Sequence, residues 1–378
     1  MAFPILVLGG TGTFGSRICH LLARDARFSL FVAGRSQKAT EALCQKIRDA
    51  GTAAAVEAVT GTLPGDMWAL LEKTGAQLVI HAAGPFQGQD YAVAEACIAR
   101  GVHYIDLADG SDFVAGFDGL DKAARRAKIV AVTGASSVPG ISSAAVDHLR
   151  AFFEKVKEIE IGIAPGNRTP RGRAAVAAVL GYVGRPIEIW RRGRWKTKYG
   201  WQDQKRQTLR TMKAALRPRR FGLCDVPDLA LFPKHYQGVR SVTFRGALEL
   251  PRLHYGLWFL SWLVRWRVLG NLARAAGFFR FMANRFKDKG SDRGGMYVEL
   301  RGLDAEGQMH RRRWTLIAES GDGPWIPAIP SVLLAKKLAD GKLKNVGAMP
   351  CLGLFTLAEF EAEIAGLDVS TAVEDRFE

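Results

Sequence analysis

The segment Val7-Leu8-Gly9-Gly10-Thr11-Gly12-Thr13-Phe14-Gly15 limits the possible folds of this chain more than any other. It joins a short apolar strand, Pro4 to Leu8, to a stretch in which Ile18, Leu21 and Leu22 recur at helical spacing. The spacing Gly10-x-Gly12-x-x-Gly15 permits a tight turn, a close backbone approach to a diphosphate, and close packing of helix on strand. The helix then points its unpaired amides at the phosphates. Glycine-rich turns are common, so the spacing alone is weak. With a strand before it and a helix after it, the segment reads as a dinucleotide site built from Gly9, Gly10, Thr11, Gly12, Thr13, Phe14 and Gly15.

The second strand, Phe28 to Ala33, runs into Gly34-Arg35-Ser36-Gln37-Lys38. A site that prefers NAD places an acidic residue about 20 positions past the glycines to hold the ribose 2′-hydroxyl. Here the position is basic. Arg35 offers a fork of donors to a 2′-phosphate, helped by Ser36 and Lys38, which predicts NADP(H). The plain alternative is that Arg35 is a solvated residue opening the next helix.

Strands and helices alternate through the first third: Gln37 to Ala50 (helix), Ala53 to Val59 (strand), Asp66 to Lys73 (helix), Leu78 to Ala82 (strand), Gln89 to Arg100 (helix), Val102 to Leu107 (strand), Phe117 to Ala127 (helix) and Ile129 to Thr133 (strand). This grammar predicts an α/β fold, an N-terminal Rossmann doubly wound parallel sheet over residues 1–133. Such sheets bind ligands beyond the carboxyl ends of their strands, so the loops to watch are 9–15, 34–38, 60–62, 82–87 and 106–111. At 378 residues the chain exceeds one ordinary hydrophobic core. A second, α+β domain is expected over 134–350, with longer strands near 157–163, 187–197 (turning at Arg192-Gly193), 241–250, 296–303 and 309–319. Its helices are expected near 171–182, 258–286 and 331–340. A closing helix near 356–364 has no domain fixed by pattern; packing back on the first domain is one arrangement.

Charge divides the chain. Residues 1–133 hold 13 Lys+Arg and 13 Asp+Glu, whereas residues 165–290 hold 27 against 6, an excess of 21. The second domain therefore expects an anionic partner, a small-molecule or lipid substrate, and Arg168, Arg171 and Arg173 are placed to clamp a carboxylate or phosphate unless they are simply an exposed basic face. No nucleic-acid motif or flexible basic tail accompanies the charge, and nucleic acid is not expected. The five cysteines are scattered without a C-x-x-C pair, and no secretory leader precedes the first strand. The expected compartment is the reducing cytoplasm, with no metal site. The apolar run Tyr255 to Val264 is cut short of a bilayer span by Arg265 and Arg267. With the aromatics and arginines that follow it, 255–286 reads either as core or interface helices with snorkelling arginines or as a peripheral membrane contact.

A short-chain dehydrogenase would carry a tyrosine with a lysine four residues on, and none of the seven tyrosines has one. A different resemblance is specific. Gly9-Gly-Thr-Gly-Thr-Phe-Gly15, Val32-Ala-Gly-Arg-Ser36, His81-Ala-Ala-Gly-Pro-Phe86, Ala94-Glu-Ala-Cys-Ile98, Gly101-Val-His-Tyr-Ile-Asp-Leu107 and Thr133-Gly-Ala-Ser-Ser-Val-Pro-Gly-Ile141, in this order, resemble the saccharopine dehydrogenase-like NADP-binding family over about the first 145 residues. The resemblance implies a Rossmann domain joined to a substrate and dimerisation domain, a homodimer, and hydride transfer between NADP(H) and a carbon bonded to nitrogen. It also implies that Ala82, Ala83, Gly84 and Pro85 pass beside the nicotinamide ribose. The aspartate that members often place after the third strand is absent from Val59-Thr60-Gly61-Thr62.

Hydride transfer needs a donor for the heteroatom that gains charge. The candidates are Asp106 and Tyr104 on one face of the fifth strand, with Ser136 and Ser137 in the loop after the sixth. Asp106 reads equally as a cap or turn residue, and His81 and His103 read as packed histidines. Three functions follow: an NADP(H)-dependent oxidoreductase acting at a C–N or C=N centre of an anionic metabolite, a membrane-associated lipid (enoyl) reductase, or a non-catalytic NADP(H) sensor.

Overall fold

The structure, a computed structural model, describes residues 2–170 and 172–377. It comprises two compact units, one of residues up to 141 together with 325–355, the other of 142–324 and 356 onward.

The first unit begins with β1 (Phe3–Leu8), α1 (Gly15–Leu22), β2 (Phe28–Gly34), α2 (Gln37–Asp49), β3 (Ala55–Thr60), α3 (Met67–Thr74), β4 (Leu78–His81), α4 (Ala92–Ala99), β5 (His103–Asp106), α5 (Ser111–Ala115), α6 (Asp121–Arg126) and β6 (Val130–Thr133). Ile5, Leu6, Val7 and Leu8 are all fully buried, as are Leu78, Val79 and Ile80. Such unbroken apolar runs suit strands covered on both faces, as in parallel sheets. The strands are indeed all parallel, in the order β3-β2-β1-β4-β5-β6, with Ile5 beside both Leu30 and Leu78. The order reverses between β1 and β4, so the helices that follow these two strands leave toward opposite faces and a crevice opens above the strand ends.

The second unit contains α7 (Ser142–Arg150), β7 (Lys155–Ala164), α8 (Arg173–Tyr182), β8 (Pro186–Arg191), β9 (Arg194–Tyr199), β10 (Lys205–Gln207), β11 (Arg219–Leu223), α9 (Asp228–His235), β12 (Ser241–Gly246), α10 (Pro251–Arg265), α11 (Ala276–Arg285), β13 (Gly294–Leu303) and β14 (Met309–Ala318). The β8–β9 hairpin turns through Arg192 and Gly193 at φ 56° and 75°, the left-handed pair that matches strand twist. The helical stretch expected over 258–286 is divided in two: α10 stops where Arg267 takes φ 62°, and a 3₁₀ turn at Leu272–Ala275 precedes α11.

Later elements divide between the units, and two expectations are corrected. α12 (Ile329–Ala339) and β15 (Gly347–Pro350), expected in the second domain, belong to the first. α12 buries Ile329, Val332 and Leu334, Asp340 at its end pairs with Arg27, and β15 adds a seventh parallel strand beside β6, with Gly347 opposite Val130. α13 (Leu357–Glu363) belongs to the second unit, where it packs against α7: Trp314 Nε1 donates to Glu361 Oε1 at 3.1 Å and its ring meets Phe360 edge-on. β16 (Val369–Phe377) completes the mixed second sheet, β10-β11-β12-β7-β13-β14-β16, in which only β12 and β7 run parallel. Among the described residues no helix is long and apolar enough to cross a membrane.

Candidate nucleotide site

Each glycine of the first loop fills a place a side chain would block. Gly9 sits at φ 70°, and a Cβ there would lie 2.9 Å from the N and Cα of Ala83. One on Gly10 would lie 2.4 Å from Val32 Cγ1, and one on Gly15 2.2 Å from the Gly9 carbonyl oxygen. The loop is pinned by Gly10 N to Ala33 O and Gly12 N to Gly9 O, both 2.9 Å, and by Ser16 N to Gly12 O at 3.0 Å. The amides of Thr11, Thr13 and Phe14 take no protein acceptor among the described residues, and no side chain caps α1. Open amides at an uncapped helix start, with a backbone no Cβ obstructs, are the donor set a diphosphate requires. The site fits the nucleotide that its spacing predicts.

At the end of β2, Arg35 and Lys38 are exposed and carry no ion pair among the described residues. Ser36 has a second task the sequence did not announce. Its Oγ accepts from Ala39 N as the N-cap of α2, while Thr40 Oγ1 donates to the Ser36 carbonyl at 2.9 Å. The cap orients the first turn of α2 with Arg35 just before it.

Beyond β4, Ala82 N donates to Leu8 O at 2.9 Å, tying the 82–85 loop to the neighbouring strand end. Gln89 Nε2 donates to the carbonyls of Ala83 and Pro85 at 3.0 and 2.6 Å, across a cis Gly84–Pro85 bond. Gln89 is a residue sequence reasoning missed; nothing local marks a glutamine four residues past a proline as its clasp. After β3, Thr62 N donates to Asp66 Oδ2 at 2.7 Å, so a carboxylate does close the loop at the strand end where this chain lacks the aspartate of the family pattern.

Asp106 is fully buried. Its Oδ1 accepts from Ala108 N, Thr133 Oγ1 and Gly134 N at 2.9, 2.9 and 2.8 Å, knotting the ends of β5 and β6. Oδ2 makes no hydrogen bond. Burial pushes the carboxyl up to about 6 against the restraint of those bonds. Tyr104, also fully buried, shares a 3.0 Å hydrogen bond with His81 Nδ1 and stacks on Phe117. Burial and the nearby Asp106 raise the phenol, while burial lowers His81 to about 4, so His81 is neutral. His103 accepts from Val130 N at 3.0 Å and is a packed histidine. Ser136 is buried; Ser137, at the start of the turn to Ile141, is partly exposed.

In the second unit the charge is partly self-neutralised. Glu299, 1% exposed, is held by Arg311 Nη2 at 2.5 Å and by Arg313 Nε and Nη2 at 2.7 and 2.5 Å. Arg313 also reaches Gln207 Oε1 at 3.0 Å. Beside this network lies a cavity of about 610 Å³ bordered by Arg206, Arg210, Arg311, Arg313, Glu374 and Asp375. Of the three arginines expected to form a clamp, Arg168 is exposed, Arg173 opens α8 and Arg171 lies outside the described residues.

Comparison with known proteins agrees with the site. Residues 5–132 match the profile of the saccharopine dehydrogenase NADP binding domain. Proteins of two Mycobacterium tuberculosis strains, named as trans-acting enoyl reductases, are 30% identical over 143 residues, a stretch covering 36% of this chain and 33% of each relative. Among solved structures, saccharopine dehydrogenase (L-Glu forming) from Saccharomyces cerevisiae aligns over 99% of this chain and 100% of its own, with TM-score 0.67 and 13% identity, a likeness of fold. Residues 5–132 are therefore an NADP-binding domain like that of saccharopine dehydrogenase, in a chain with the two-sheet fold of that enzyme.

Proposed function

We propose that the protein is an NADP(H)-dependent oxidoreductase that reduces a carbon–carbon double bond conjugated to a carbonyl in an apolar acyl substrate. The observation that carries the oxidoreductase reading is the meeting of the Gly9 and Ala82–Pro85 loops at the strand-order reversal, where a nucleotide lies across such a sheet. The relatives named as enoyl reductases and the aromatic, basic helices α10 and α11 favour the acyl substrate.

The residues that would hold the nucleotide are the loop from Gly9 to Gly15 at the diphosphate, Arg35 and Lys38 at the 2′-phosphate, with Ser36 capping the helix between them, and Ala82 to Pro85 beside the nicotinamide ribose. When bound in its reduced form the nucleotide supplies a hydride, which an enoyl group accepts at its β-carbon while a proton goes to the α-carbon. Asp106 and Tyr104 are enclosed, so their part is structural, Asp106 fixing the ends of β5 and β6 and Tyr104 tying β5 to His81 of β4; Ser137, partly open, is the hydroxyl left to touch a substrate. The reading brings with it a homodimer, as the family resemblance implies, and a reducing cytoplasm, to which free, buried cysteines are suited.

A second reading, hydride transfer at a C–N centre of an anionic metabolite, draws on the arginine-bordered cavity of the second unit. The test is loss of NADPH absorbance with the purified full chain. One arm offers a medium-chain trans-2-enoyl thioester, the other a 2-oxo acid with an amino acid. Turnover of the thioester supports the first reading. Turnover of the imine-forming pair alone replaces it with the second. Failure to bind either nicotinamide nucleotide at millimolar concentration overturns both.

A further inference from the structure

We propose that α10, α11 and the turn between them form a docking surface for an anionic lipid bilayer. α10 is fastened along one side only. His254, Leu257 and Ser261 are buried there, with His254 Nε2 at 2.6 Å from Gln204 Oε1, and Arg265 donates to Gln202 Oε1 at 2.9 Å while lying over the Tyr199 ring. A second face carries the exposed Tyr255, Phe259 and Trp266, with the half-buried Trp262 among them under Arg265, at the spacing that stacks residues along one side of a helix. The indoles of Trp262 and Trp266 lie 5.4 Å apart. Exposure is high where a folded chain would normally hide such groups: Phe259 59%, Trp266 64%, Val268 67%, Phe278 62% and Phe281 62%.

Charge decides the occupant. Between 251 and 289 eight arginines and lysines stand against a single acid, Asp288. Arg252, Arg267, Arg274, Arg280 and Arg285 form no ion pair among the described residues. Exposed aromatics ringed by unpaired arginines match a bilayer whose acyl boundary takes the rings and whose anionic head groups take the guanidinium groups. A second copy would bring the same positive charge against itself. α10 runs from 251 to 265, too short to span, so the contact is peripheral. The surface goes beyond the proposed reaction and does not depend on it.

The test is flotation of the full chain, without nucleotide or substrate, on phosphatidylcholine vesicles with or without phosphatidylglycerol, at low and high salt. The expected result is flotation only with the anionic vesicles, weakened by salt. The combined Arg267→Glu, Arg274→Glu and Arg280→Glu variant should bind at least tenfold more weakly, since each arginine near such a surface is worth about fivefold. Phe259→Ser with Trp266→Ser, Phe278→Ser and Phe281→Ser should abolish flotation while NADPH binding and circular dichroism stay unchanged, which separates lost docking from lost folding. Absence of flotation at low salt, equal flotation on neutral vesicles, or flotation indifferent to both variants overturns the proposal. So does a dimer in light scattering that the aromatic variant splits, because a second copy would then own the face. Each of these results leaves the oxidoreductase reading standing.

Discussion

Gly9 and Ala83 touch backbone to backbone: at φ 70° the place of the missing Gly9 Cβ is 2.9 Å from Ala83 N and Cα. One residue follows β1 and the other follows β4, the two neighbouring strands between which the sheet order turns back. Helices from such neighbours leave toward opposite faces, so the contact closes the floor of the crevice while its upper side stays open to a ligand.

Gly9→Ala should therefore fail twice. A left-handed non-glycine residue costs about 1–2 kcal/mol, and forcing a methyl against fixed backbone costs about 1–3 kcal/mol more. Thermal unfolding should fall by several degrees and NADPH titration by fluorescence should show no saturable binding. Gly51→Ala is the control, because Gly51 has φ 78° with open space where its Cβ would be. It should lower stability by the conformational share alone and leave NADPH binding intact.

Arg35→Asp places a carboxylate where the 2′-phosphate is expected. Loss of a charge-assisted bidentate contact is worth about 1.5–3 kcal/mol, so the Kd for NADPH should rise by about 10- to 100-fold, with the Kd for NADH changed far less. Equal losses for both nucleotides would end the selectivity argument.

The loop at Gly9 to Gly15 was legible because its demands are local: each glycine answers a contact made within the first two strands or, for Gly9, at the next strand end. Asp106 was not, because the groups that define it, Thr133 and Gly134, come from the end of another strand. The return of α12 and β15 to the first sheet was hidden for the same reason, since nothing in Gly347 to Pro350 names Val130 as its neighbour. The break between α10 and α11 escaped because apolar periodicity continues through it and the left-handed residue that ends α10 is an arginine; its one local mark is Gly270-Asn271, where Asn271 caps the 3₁₀ turn that follows. The hairpin at Arg192-Gly193 shows the converse, a turn written in the residue that makes it.

Asp106 and His81 should give opposite pH signatures. Asp106, raised by burial to about 6 from 3.8, keeps a proton in the folded state that the unfolded chain has lost between those values, so its share of stability falls as pH rises through that window. His81, lowered by burial to about 4 from 6.5, is neutral when folded while the unfolded chain takes up a proton; its share is complete above pH 6.5 and is lost as pH falls toward 4. Asp106→Asn keeps an oxygen for the three donors and should remove the first slope at modest cost. Asp106→Ala strands those donors and should cost about 2–3 kcal/mol. Thermal melts from pH 4 to 7 check both; an Asn variant with the parent's slope would reject the assignment.

Ser137→Ala tests the chemistry apart from the scaffold. Its hydroxyl is partly exposed, so stability and NADPH affinity should hold within experimental error while kcat falls by about 10²-fold, the lower end for loss of a proton-transfer group. A variant as active as the parent would remove Ser137 from the reaction.

Glu299 completes the set, on a row that crosses the second sheet: Glu160 on β7, Glu299 on β13, Arg313 on β14 and Glu374 on β16 stand in register. Glu160 and Glu299 face each other directly, a pairing that repels unless cations intervene. They do, with Lys205 Nζ at 2.7 Å from Glu160 and Arg311 and Arg313 on Glu299. Removing one partner of a buried pair leaves the other charged and unmatched, at about 3–5 kcal/mol. Glu299→Ala should therefore shift the urea midpoint strongly, whereas Glu299→Met combined with Arg313→Met, which removes both charges, should recover much of the loss. A double variant as weak as the single would mean that the row is held by packing and that the ion pair adds little.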